Sequence, residues 1–243
     1  MRIAGSHTTK KTQADETVPL VLGVTGHRDL RPEDLPDLEQ VLRRIFSTLR
    51  EHEPERTVSL LSPLAEGADR LVADSALEYG AELVVPLPME EELYQIDFQT
   101  AASQLEFKRL LLKAASAFVV PFGRSFHPDV IRKYGTARDY HYGLVGAYIV
   151  QNCHVLIALW NGLASPAPYG TADVVGYALR GIPDEYHHLR TMSGNAGNCI
   201  PVVHVVTPRV RDAATSGEPL SFHVIYPDGS GSRSFGTEWL EFL

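Results

Sequence analysis

The chain lacks the features that mark several large classes of protein. It has two cysteines, Cys153 and Cys199, in no CxxC pair, so a disulfide framework and a cysteine-held zinc are both excluded and a reducing compartment is expected. It has no apolar run near the roughly 20 residues that span a bilayer. The longest, Leu144 to Trp160, is interrupted by Gln151, Asn152 and His154. Residues 1–17 lack the apolar core of a secretory signal, which predicts a disordered lead on a cytoplasmic protein that would need a partner to act on a membrane. Positive charge is in deficit, with 22 basic against 30 acidic side chains and a net charge of −8. A general electrostatic grip on nucleic acid is therefore not expected. GxxxxGK[ST], GxSxG and a GxGxxG after the first strand are all missing, which speaks against the P-loop ATPase, α/β-hydrolase and ordinary dehydrogenase readings. His187 and His188 have no third ligand at metal spacing, so no metal site is expected and no cofactor is required.

What is present is a repeated grammar of strand, loop and helix. It begins at VLGVTGHRDLRPEDLP, where the apolar stretch Val21 to Thr25 runs into Gly26, His27 and Arg28 ahead of a helix. Leu35, Leu38, Leu42, Ile45 and Leu49 recur at spacings of three and four, one face of that helix, with Pro36 in its first turn. Apolar runs at Val58–Leu61, Leu83–Leu87, Phe118–Val120, Val155–Trp160 and Val202–Val206 alternate with segments of helical period, as strands of a parallel sheet covered on both faces require. One helix is expected through Leu105, Leu111, Leu112 and Ala115, another from about Asp139 to Asn152, and a third from Thr171 to Gly181. The polar stretch from Pro121 to Arg138 is longer than most connections and reads as a loop facing a ligand, with Arg138, Tyr140 and Tyr142 as further candidates to line its pocket. The segment after Gly181 reads as mobile, and the tail from residue 209 contains one β run, Phe222–Tyr226. The expected fold is a Rossmann-like, doubly wound α/β domain over residues 18–208, mainly parallel with helices on both faces. A lead at 1–17 precedes it, and an extension at 209–243 packs on the domain or on a partner.

Three strand-to-helix junctions fall on the carboxyl edge of such a sheet: Gly26-His27-Arg28, Glu66-Gly67-Ala68-Asp69 and Gly170-Thr171-Ala172-Asp173. Helix N-termini there offer unpaired N–H groups and a positive dipole end, which suits a phosphate. Arg28 can clamp a phosphate in bidentate fashion and Thr171 can donate a hydroxyl to it. Gly26, Gly67 and Gly170 permit close backbone approach, His27 and Glu66 stand beside them, and Trp160, Asn161 and Gly162 end a core strand at the same edge. Each has a plainer reading: Asp69 and Glu66 as first-turn helix residues, His27 as a satisfied turn histidine, Arg28 as a salt-bridge partner and Trp160 as a core plug.

The combination GVTGHRDL, LLSPLAEGADRLVADSALEYGAELVVPLPM and VLIALWNG followed by GTADVVGYAL resembles the SLOG superfamily over roughly residues 18–208. That group includes the DNA-processing SMF proteins, the Lonely-guy cytokinin-activating enzymes and the N-terminal regions of TRPM channels. SPLAEGAD is similar to the SMF pattern Ser-Gly-x-Ala-x-Gly-x-Asp, with Ser62, Ala65, Gly67 and Asp69 matching and Pro63 in place of the glycine. The whole looks most like the SLOG domains of bacterial defence systems. That likeness implies a sensor of nucleotide-derived second messengers, working as a homo-oligomer or through a linked effector or membrane partner.

The Lonely-guy signature Pro-Gly-Gly-x-Gly-Thr-x-x-Glu is matched at Gly170 and Thr171, but Val174 occupies the place of its glutamate and SPAPY lacks the double glycine. A valine does no acid–base chemistry, which favours binding over catalysis. Three readings stay open: a nucleotide sensor, a nucleotide N-glycosidase or phosphoribohydrolase with Glu66, Asp69 or Asp173 as the acid–base group, and an interaction module without a ligand.

Overall fold

The computed structural model describes residues 18–121, 128–165, 168–189, 199–228 and 233–234; the polar lead and the aromatic end of the tail lie outside the described residues. Among the described residues, eight strands form one sheet: β1 (Leu20–Gly26), β2 (Val58–Leu61), β3 (Glu82–Leu87), β4 (Ser116–Val119), β5 (Val155–Trp160), β6 (Val202–Val206), β7 (Phe222–Ile225) and β8 (Arg233–Ser234). Their spatial order is β4-β3-β2-β1-β5-β6-β7-β8. The first six are parallel, and β7 and β8 join antiparallel. The fold is therefore the Rossmann-like, mainly parallel α/β architecture that the strand pattern predicts. From β1 the chain steps outward to β4 and then returns to β5 on the other side of β1. The winding reverses between β1 and β5, and at such a reversal the connections leave for opposite faces and a crevice opens beyond the strand ends.

The helices are α1 (Leu35–His52), α2 (Ala68–Glu78), α3 (Glu91–Tyr94), α4 (Ala101–Leu111), α5 (Pro128–Ile131), α6 (Thr136–Asn152) and α7 (Thr171–Arg180). Side chains alternate across a strand, so β5 divides between two cores: Val155, Ile157 and Leu159 pack with α1, α2 and α4, while Leu156 and Ala158 pack with α6 and α7. Both faces being covered is what makes the run VLIALW continuously apolar. Gly26 ends β1 where α2 crosses it. A Cβ there would lie 2.3 Å from the Ala68 Cβ and 2.8 Å from the Leu159 carbonyl oxygen, so only glycine lets α2 dock this closely.

Three local expectations are corrected. On α4 the buried residues are Phe107 and Leu110, whereas Leu105 and Leu112 are exposed; α4 turns its Phe107 side inward, and Leu112 lies past its last turn. The helix expected at Asp139 starts at Thr136, after Gly135, which puts Arg138 in its first turn. Residues 184–189, read as mobile, form a 3-10 turn that buries Tyr186 and Leu189. Among the described residues, no helix is long and apolar enough to cross a membrane.

Candidate functional site

A cleft of about 490 Å³ opens where the winding reverses, a volume within the roughly 300–1,000 Å³ usual for small-molecule sites. Gly26, His27, Arg28, Asp69, Trp160, Asn161, Gly170 and Thr171 all line it. The first and third junctions thus meet across the β1–β5 boundary, and the second contributes Asp69.

Arg28 follows the tip of β1 and lines the cleft. Its guanidinium lies over the ring of Tyr142 at 5.4 Å, and it makes no hydrogen bond or ion pair within the described residues. Asp69 is 4% exposed. One carboxylate oxygen, Oδ2, accepts the Ala65 N–H at 3.2 Å, and the other has no hydrogen-bond donor among the described residues. Burial pushes the Asp69 carboxyl up to about 7, against the opposing pull of Arg28, the Ala65 N–H and Arg70. Arg28 and Asp69 are close enough to influence each other yet form no ion pair, so a hydrogen-bonding face of each remains available to a ligand.

At the opposite wall stands the N-terminus of α7. The Gly170 carbonyl takes the N–H groups of Asp173 and Val174. Those of Thr171 and Ala172, both in the cleft lining, have no acceptor among the described residues. They are donors of the kind that helix starts present to anions.

His27 and Asn161 are held as framework. The Asn161 N–H donates to His27 Nε2 at 2.9 Å, so that ring nitrogen is an acceptor and the proton sits on Nδ1. Burial, reinforced by nearby Arg209, lowers His27 to about 4, with Asn161 and Asp29 opposing. Asn161 Oδ1 accepts the Leu163 N–H at 3.2 Å and its Nδ2 donates to the Ala214 carbonyl at 3.3 Å. Trp160 donates Nε1–H to the Leu163 carbonyl at 3.0 Å and packs on His204, so it lines the cleft from a fixed position.

The remaining candidates lie elsewhere. Glu66 accepts a hydrogen bond from the Ser103 hydroxyl, on the α4 side. Gly67 has φ +76, and a Cβ on it would lie 2.5 Å from the His27 and Arg28 carbonyl oxygens. It is the hinge that lets Ala68 N–H reach the His27 carbonyl at 3.0 Å. Gly162 faces Ser216 and His204, and Asp173 is absent from the cleft lining. Of the three residues flagged near the long loop, Tyr142 alone reaches the cleft. Arg138 is buried in an ion pair with Asp97 at 2.7 Å, and the Tyr140 hydroxyl donates to the Glu185 carbonyl at 3.4 Å. Residues 122–127 of that loop are outside the described residues.

Sequence reasoning missed the rim. Asp29, Arg209, Arg211 and Asp212 line the mouth, and Asp29 binds Arg209 at 2.9 Å, joining the exits of β1 and β6. Arg209 and Arg211 follow the carboxyl end of β6, and the rule that exit loops of parallel strands build the site would have found them. Tyr94 and Tyr169 carried no comparable signal. Among the described residues no group of three or more His, Cys, Asp or Glu side chains is placed to hold a metal.

No protein-family model matches the chain, and no curated protein matches it significantly. Among solved structures it is similar to DNA processing protein A (DprA) from Streptococcus pneumoniae, 16% identical with a TM-score of 0.40, over 75% of this chain and 59% of that one. It is also similar to the Moco carrier protein from Chlamydomonas reinhardtii, 15% identical with a TM-score of 0.36, over 76% of this chain and 89% of that one. This chain thus spans less than two thirds of the DprA structure. These distant likenesses carry no statement about a ligand. What fold and cleft define is a Rossmann-like domain with a cleft of small-molecule size at its switch point.

Proposed function

We propose that this cleft binds a nucleotide or a nucleotide-derived second messenger, and that the domain is a sensor for it. The observation that carries the reading is Arg28: a cation in the cleft lining, unpaired among the described residues and supported from below by Tyr142. A cation in that state is a ready phosphate ligand. The Thr171 and Ala172 N–H groups supply a second anion locus, and the free oxygen of Asp69 suits a ribose hydroxyl. Binding would regulate by favouring one of two arrangements of a homo-oligomer, a linked effector or a membrane-bound partner.

A second reading rests on Asp69 itself. A buried carboxyl held near 7 in a ligand cleft is matched to general acid–base work at neutral pH, and would serve a nucleoside monophosphate N-glycosidase. Val174, which also lines the cleft, speaks against the Lonely-guy route to that reaction. The test is a thermal-shift screen of nucleotides, cyclic di- and trinucleotides and ADP-ribose derivatives, on wild type beside Arg28→Ala and Thr171→Ala, with chromatography of every hit. A ligand that binds only the folded state must raise its apparent stability. A shift lost in both variants with the ligand intact fits a sensor, release of free base fits the enzyme, and no shift by any compound defeats both.

A further inference from the structure

The inner end of the cleft differs chemically from its mouth. Its wall between α6 and α7 consists of Val145, Gly146, Ile149 and Val174, the valines and isoleucine all buried. A Cβ on Gly146 would stand 2.5 Å from a methyl of Val174, so the two helices are in close contact there and leave a smooth apolar surface. The backbone groups of α6 are consumed by its own helix, so this wall offers neither donor nor acceptor. Two polar side chains, Tyr169 and Thr25, also line the cleft. The Tyr169 phenol is engaged by Glu185, and Thr25 at the tip of β1 has a hydroxyl that both donates and accepts. Charge and hydrogen-bonding capacity are concentrated at Arg28, Asp69, the α7 N-terminus and the Asp29–Arg209 rim.

We infer that the site recognises the sugar–phosphate part of its ligand by hydrogen bonds and takes the heterocyclic ring by shape alone, so that purine nucleotides bind without discrimination between their hydrogen-bonding edges. This deepens the nucleotide reading and rests on it. A pocket that hydrogen-bonds one edge rejects the wrong partner by orders of magnitude, because its own polar groups are left unpaired. An apolar wall has no such groups to strand. It still favours the ring over water, since burying apolar surface is favourable whatever the pattern at the ring's rim.

The test is titration calorimetry of the full chain with AMP, GMP and ribose 5-phosphate. AMP and GMP should bind within about threefold of each other, and ribose 5-phosphate at least about tenfold more weakly for want of the buried ring. Val174→Phe, which fills the wall, should abolish the advantage of AMP over ribose 5-phosphate; the wild-type series decides the matter if that variant fails to fold. A larger difference between AMP and GMP, or ribose 5-phosphate binding as tightly as AMP, overturns the inference while leaving nucleotide binding in place. Binding of none of the three overturns the inference, and the wider thermal-shift screen then decides whether the nucleotide reading beneath it stands.

Discussion

Arg28 lies over the ring of Tyr142 at 5.4 Å, and the Tyr142 hydroxyl donates to Asp97 Oδ2 at 2.6 Å. Beneath the cation of the cleft is thus a platform fixed from behind. Asp97 Oδ1 accepts from Arg138 at 2.7 Å, and Arg138 also donates to the Tyr142 hydroxyl and to the carbonyls of Leu93 and Ile131. Both members of the ion pair are buried, at 1% and 2% side-chain exposure.

The first prediction concerns that platform. Removing one partner of a buried pair leaves an uncompensated charge, at a cost of about 3–5 kcal/mol. Asp97→Ala should lower unfolding stability by that amount. Tyr142→Phe keeps the ring under Arg28 and removes one hydrogen bond from each of two buried charged groups, for about 1–3 kcal/mol. Urea denaturation orders the two variants, and equal losses would show that Asp97 and Arg138 do not act as a buried pair.

Much of this architecture was legible in the sequence because it is periodic. Strands buried on both faces read as apolar runs, and α1 buries Leu38, Leu42, Ile45 and Leu49 at the spacing that marks one helical face. Around the cleft, residues next to strand ends were readable for the same reason, since topology alone brings Arg28 and Thr171 to one edge. What could not be read were pairings across long sequence separations. Arg138 looked like a loop cation, and only the folded chain places it against Asp97 and hides both. Apolar residues on α4 face both inward and outward, so composition did not say that Phe107 rather than Leu105 would be covered. Asp29 and Arg209 are far apart in sequence, and no local pattern announces their contact.

The second prediction is acid sensitivity through histidine. His204 Nε2–H donates to the Trp160 carbonyl at 2.9 Å, so Nδ1 accepts from His223 Nε2–H at 3.2 Å. Protonating His204 would set N–H against N–H. Burial, with the charges of His223 and His27 adding to it and the Trp160 carbonyl opposing, lowers His204 to about 4. The unfolded chain takes up a proton below 6.5 and the folded chain does not until about 4. Stability is therefore full above 6.5 and falls as pH drops toward 4, by at most ~1.4 kcal/mol per pH unit for this histidine. His27, lowered in the same direction, adds to the slope. His204→Gln should flatten the limb in thermal melts between pH 4 and 6.5, and an unchanged slope would remove His204 from the account.

The third prediction separates two roles for Asp69. As a first-turn residue serving its helix dipole, its negative charge would be stabilising, and Asp69→Asn would cost a few tenths to 1 kcal/mol at neutral pH. As a buried cleft carboxyl it behaves oppositely. Its folded value, about 7, is above the unfolded 3.8, so the stability it contributes is present below 3.8 and is lost as pH rises through 7. The asparagine keeps an oxygen for the Ala65 N–H and has no proton to lose. Relative to wild type, Asp69→Asn should gain stability steadily from about pH 4 to pH 7 and hold a constant advantage above that, with a slope of at most ~1.4 kcal/mol per pH unit. Melting temperatures of both proteins across pH 4–9 decide between the roles. A variant less stable at pH 8 by an amount that shrinks toward pH 4 would return Asp69 to its helix and leave Arg28 as the polar anchor on that side of the cleft.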